Sequence, residues 1–121
     1  MAKKTRIDQV CTWCADQPAA TMDNTFGPGT NVYRVADKMF ALVNIEGSDF
    51  VTLKALPEDG AALRAQYDFV REGYYMNKRH WMTIDLVDEA PMDEIRELIE
   101  ESYHLVFENL PKKRQTELRP S

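Results

Sequence analysis

The chain has 121 residues, of which 44% are hydrophobic and 29% charged, and its formal net charge is −5. This suits one globular domain rather than a disordered chain, and the acidity argues against simple phosphate binding by the whole surface. No stretch approaches the roughly 18–20 apolar residues of a membrane helix, and the basic start Met-Ala-Lys-Lys-Thr-Arg has no apolar run behind it, so a cytoplasmic protein with two reduced cysteines and no membrane contact is expected.

Thr5 is placed to cap a first helix, with Asp8 three residues on in the capping-box position. Ile7, Val10, Cys11 and Cys14 then repeat at helical spacing, which predicts a buried face ending before Pro18. Residues 23–26 read as a short strand closed by Gly27-Pro28-Gly29. Residues 32–35 and 39–45 read as a hairpin around Ala36-Asp37-Lys38. The second of these strands is apolar on both parities, which predicts a central strand covered at least partly on both faces.

A strand over 50–55 follows, with Val51, Leu53 and Ala55 on one face and Phe50, Thr52 and Lys54 on the other. Pro57 then opens a helix predicted over about 58–69, and Gly73 ends that region. Residues 81–86 alternate as a strand, with Met82, Ile84 and Leu86 inward and Trp81, Thr83 and Asp85 opposite. Pro91 opens a last helix whose stripe is Ile95, Leu98, Ile99, Val106 and Leu110, ended by Pro111. Short turns imply antiparallel pairing. The expected fold is α+β, an antiparallel β-sheet meander with helices packed on one face. Residues 1–111 form the single domain, and 112–121 read as a polar, frayed tail.

The charge is unevenly spread. Residues 88–108 hold eight acids against the single base Arg96, leaving twelve acids against fourteen bases elsewhere. The acidity is mostly one helix, so an anionic ligand is not excluded at the rest of the surface.

Several segments resemble one family. Phe26-Gly27-Pro28, Val32-Tyr33-Arg34-Val35, Lys38-Met39-Phe40-Ala41-Leu42 and Val51-Thr52-Leu53-Lys54-Ala55 look like its first half. Gly73-Tyr74-Tyr75-Met76-Asn77-Lys78-Arg79-His80-Trp81 and Ser102-Tyr103 look like its second. The chain is similar to the MmcQ/YjbR-like proteins over nearly its whole length, and Asn-Lys-x-His-Trp is the most specific part. The resemblance implies a CyaY-like (frataxin-like) fold and a proposed DNA-binding role in a double-wing arrangement.

Residues 74–81 are the densest candidate site. Tyr74, Tyr75 and Trp81 offer stacking faces, Lys78 and Arg79 offer charge, and Asn77 offers an amide. Aromatics interleaved with bases suit single-stranded nucleic acid or a phosphorylated ligand. Alternation places Lys54 on the face of Trp81, with Phe50 and Thr52 beside it, and Lys38 is a further neighbour to consider. The competing role is structural, with Asn77 and His80 holding a loop while the aromatics close the core edge.

Other motifs carry less. Cys11-Thr12-Trp13-Cys14 lies within a helix on its apolar stripe, whereas a redox pair needs a helix N-terminus and zinc needs two more ligands. His80 and Asp85 point to opposite strand faces, no nucleophile motif is present, and no catalytic residue or cofactor is assigned. The helix acids Asp93, Glu97, Glu100 and Glu101 read as a solvated face rather than a metal site. The expected function is that of a small non-enzymatic binding protein contacting DNA through the basic–aromatic face. The alternative is an interaction module that docks a basic protein partner on the acidic helix.

Overall fold

The computed structural model describes residues 5–73 and 80–118. Ten elements follow in order: α1 (Arg6–Ala15), β1 (Thr21–Asp23), β2 (Thr30–Val35), β3 (Lys38–Asn44), β4 (Phe50–Lys54), α2 (Pro57–Gln66), β5 (Val70–Glu72), β6 (Trp81–Asp85), α3 (Met92–Glu108) and α4 (Lys112–Leu118). The strands form one sheet in the order β1-β2-β3-β4-β6-β5, with each neighbouring pair antiparallel. The α+β class expected from the sequence is the one observed.

Thr5 caps α1 through a full capping box. Its hydroxyl accepts from the Asp8 amide at 3.2 Å, and its own amide donates to the Asp8 carboxylate at 3.4 Å. The β2–β3 hairpin turns through Ala36 (φ 49°) and Asp37 (φ 67°). Two left-handed residues in a two-residue loop give the type I′ turn, whose twist matches that of paired strands.

Between Tyr33 and Arg34 the β2–β3 register shifts: Tyr33 pairs with Ala41 and Arg34 with Met39, leaving Phe40 as the extra residue. Such a bulge breaks strict alternation. It accounts for consecutive Phe40 and Ala41 both joining the helix-side core, where the Phe40 ring meets Tyr103 of α3 edge-on at 5.3 Å. The other face is also closed along one transverse row. Val32, Leu42, Thr52 and Thr83 are register partners in turn, are all buried, and lie outside the main core cluster.

Several boundaries differ from expectation. The first strand is Thr21–Asp23 rather than 23–26, because Asn24 begins a turn closed by the Gly27 amide on its carbonyl. Helix α2 stops at Gln66, and Val70–Glu72 forms an edge strand that periodicity did not separate from the helix. Strands β4 and β6 end at Lys54 and Asp85, so Ala55 and Leu86 fall outside them. Residues 112–118, expected to fray, form α4. Its Gln115 is buried and donates to the carbonyls of Leu110 (2.8 Å) and Glu108 (3.2 Å), satisfying acceptors at the end of α3. Among the described residues no helix is long and apolar enough to cross a membrane.

Candidate functional site

The expected neighbours Lys54 and Trp81 are direct partners across the β4–β6 ladder. Pairing continues one step beyond the strands, with the Ala55 amide donating to the His80 carbonyl at 2.9 Å. On the other side of Trp81, the Gly73 amide donates to the Trp81 carbonyl, also at 2.9 Å. The backbones approach so closely that a Cβ on Gly73 would lie 2.6 Å from the Trp81 Cβ and 2.8 Å from its carbonyl oxygen. Only glycine fits there without displacement.

Ser102 fixes the Lys54 end of β4. In the β3–β4 register Ala41 faces Leu53, so Phe40 and Lys54 would be the next pair. Instead the Ser102 hydroxyl of α3 stands between them, accepting from the Lys54 amide at 2.8 Å and donating to the Phe40 carbonyl. Ser102 is wholly buried. Its signal in the sequence is a polar residue on the apolar stripe Ile95, Ile99, Val106, all of which are buried.

Beside this junction is a hollow of about 310 Å³ lined by Lys38, Met39, Lys54, Trp81, Val106, Asn109, Leu110 and Pro111. It brings together Lys38, Lys54 and Trp81, and no acid lines it among the described residues. Trp81 and Lys54 are half-buried and Lys38 is exposed, so each of the three keeps some solvent-accessible surface. Tyr74, Tyr75, Asn77, Lys78 and Arg79, the rest of the expected face, lie outside the described residues. His80 is exposed and contributes its backbone carbonyl.

The broader patch expected around Phe50 and Thr52 is not open. Thr52 is buried, and its hydroxyl is hydrogen-bonded to that of Thr83 at 3.0 Å. Phe50 lies beneath the Arg71 guanidinium, 5.9 Å from ring centroid to Cζ. Arg71 in turn forms a two-pronged pair with Asp85 at 2.7 and 2.9 Å. Of the expected patch, the hollow therefore takes in the Lys54–Trp81 end and not Phe50 or Thr52.

The cysteines behave as core. Cys14 is fully buried, and burial, followed by the nearby Cys11, pushes its thiol far above the usual range. A neutral buried thiol is a poor nucleophile. Cys11 is half-buried and accepts a long 3.7 Å contact from the Asn31 amide, which also reaches the Tyr33 hydroxyl at 3.4 Å. Among the described residues no three His, Cys, Asp or Glu side chains converge as a metal site.

Comparison with known proteins agrees with this architecture. A family model described as YjbR matches residues 15–105. The chain is 33% identical to YbdF of Escherichia coli O157:H7 over 96 residues, covering 78% of this chain and 79% of that protein. It is 30% identical to YjbR of Escherichia coli K12 over 110 residues, covering 90% and 93%. The crystal structure of the Deinococcus radiodurans protein DR2400 superposes with a TM-score of 0.87 at 29% identity, covering 96% of this chain and 91% of that one. With the family model spanning most of its length and the sheet and helices shared, the chain belongs to the YjbR family.

Proposed function

We propose that this protein is a non-enzymatic binding protein that takes nucleic acid at the Lys38–Lys54–Trp81 hollow. The observation that carries the reading is the hollow's composition: two lysines flank an accessible indole, with no acid among the described lining residues of a protein whose net charge is −5. An indole face stacks on any base, and lysines neutralise phosphates, which is the usual division of labour in single-strand binding. The volume of about 310 Å³ suits one base with its phosphate. The lysines also stand at the C-terminal end of α3, whose own last turn carries no base. Favourable charge at a helix C-terminus is a structural role for them, so binding must be measured alongside stability.

The test is fluorescence anisotropy of a labelled oligothymidylate over a salt series. Binding should weaken linearly in log–log form, and Lys38→Ala and Lys54→Ala should each flatten the slope by about 0.7. Trp81→Ala should remove about 1–3 kcal/mol of affinity. Thermal melts of the same variants separate lost binding from lost folding. No binding at low salt, or an affinity indifferent to salt, refutes the reading.

A further inference from the structure

A second opening lies between α2 and α3, with a volume of about 520 Å³. Its α3 wall is Leu98, Glu101, Leu105 and Glu108, and the facing wall is Leu56, the residue before α2, with Asp59 and Leu63 of α2. The intervals are those of one helical face, three to four residues apart. From Leu98 to Asn109 the α3 wall runs about 16 Å at ~1.5 Å per residue. The lining thus extends as a trough along this stretch of α3, with the buried Met82 and Ala55 among its lining residues. Its lining includes Leu56, an apolar residue at the start of α2 that is 46% exposed.

The charge around the opening is mostly negative. Asp59, Glu101 and Glu108 stand along it, two on α3 and one on α2, and Lys54 is the only Lys or Arg lining it among the described residues. Half-buried Leu63, Leu98 and Leu105 beside exposed Asp59, Glu101 and Glu108 select an occupant that is apolar on one side and cationic along its flanks. The length and the two helical walls select a helix, because ridges of side chains at three- and four-residue intervals seat in the groove between two others.

We infer that the α2–α3 trough binds a basic amphipathic helix of a protein partner, about three turns long, with apolar anchors between Leu56, Leu63, Leu98 and Leu105 and Lys or Arg side chains meeting Asp59, Glu101 and Glu108. The site is separate from the Trp81 hollow and does not depend on the nucleic-acid reading, although Lys54 lines both.

The probe is a fluorescein-labelled synthetic Leu/Lys helix of about 15 residues, with a scrambled peptide of identical composition as control. Saturable binding by the amphipathic order alone is expected. Glu101→Lys with Glu108→Lys should weaken it about tenfold, as should Leu105→Asp. Asp93→Lys with Glu97→Lys makes the same change in net charge on exposed α3 positions outside the trough and should leave affinity within about twofold. Circular dichroism melts verify that each variant folds, and the charge pairs, being exposed, keep the test valid if Leu105→Asp does not.

Equal loss in the two charge-reversed pairs, equal binding of the scrambled peptide, or no binding at low salt would overturn the inference. So would full displacement by octylamine, which would make the trough a small-cation site. Lys38→Ala and Trp81→Ala should not alter peptide affinity, so failure here and failure at the hollow are distinguishable.

Discussion

Ser102 of α3 accepts a 2.8 Å hydrogen bond from the backbone amide of Lys54, taking the place that the carbonyl of Phe40 would hold in a continuous β3–β4 ladder. A helix side chain thereby completes the sheet where its strands part. The position of Lys54, and with it one wall of the hollow, depends on a residue far away in sequence.

Replacing Ser102 by Ala leaves the Lys54 amide and the Phe40 carbonyl without their shared partner in a buried site. An unsatisfied buried polar group costs about 1–3 kcal/mol. Urea titration of Ser102→Ala should show a loss in that range, and Ser102→Thr, which keeps the hydroxyl, should lose less unless its methyl clashes.

Gly73→Ala should destabilise by about 1–3 kcal/mol through overpacking, since the added methyl would meet the Trp81 backbone and Cβ at 2.6–2.9 Å. Because the obstruction is mostly backbone, it cannot be relieved by a rotamer change. Trp81 emission should shift in a Trp13→Phe background, where Trp81 is the only remaining indole.

The β2–β3 turn places alanine at φ 49° and aspartate at φ 67°. Asn-Gly is the preferred pair for such a turn, and a left-handed conformation costs an ordinary residue about 1–2 kcal/mol. The double change Ala36→Asn, Asp37→Gly should therefore raise stability by about 1 kcal/mol. The readout is the urea midpoint at unchanged slope.

Asp23 reports on the edge of the sheet. Hydrogen bonds from the Thr25 hydroxyl, then from Arg34 at 2.7 Å, hold its carboxyl at about 2, against an ordinary 3.8. A depressed carboxyl stabilises the fold above its unfolded value and loses that contribution as pH falls toward the folded one. Melting temperature should fall between about pH 4 and pH 2 partly for this reason, and Asp23→Asn should make that limb shallower. An unchanged limb would mean that Asp23 is not held this way in solution.

Thiol chemistry should separate the two cysteines. Burial keeps Cys14 protonated, so iodoacetamide at pH 8 should label Cys11 first, with Cys14 reacting only on unfolding. Mass spectrometry of tryptic peptides from native and urea-treated protein reads the order.

Most of the architecture was legible because it follows local rules. The capping box at Thr5, the Val10–Cys14 stripe, the hairpin and the Lys54–Trp81 facing came from spacing and alternation. What was hidden depended on partners distant in sequence. The short strand Val70–Glu72 carries no periodicity of its own and exists because β6 offers an edge. Helix α4 looked like a tail because its anchor, Gln115, is polar and reveals its role only against the carbonyls of α3. The bulge at Phe40 was visible only as apolarity on both parities. Thr52 was assigned to the correct face, but its closure depends on Thr83 across the ladder. The α2–α3 trough needed two helices in register and could not be read from either one.

Lys54 lines both the hollow and the trough. Among the described residues it is the only Lys or Arg that lines the trough with the three carboxylates. An anion seated against Trp81 would draw the Lys54 ammonium away and leave the trough more negative, so a cationic helix would bind there more tightly. Linkage makes the effect mutual: whatever factor the anion adds to the helix's affinity, the helix adds to the anion's. If both surfaces bind as proposed, one lysine on a common wall would couple them, each ligand favouring the arrival of the other.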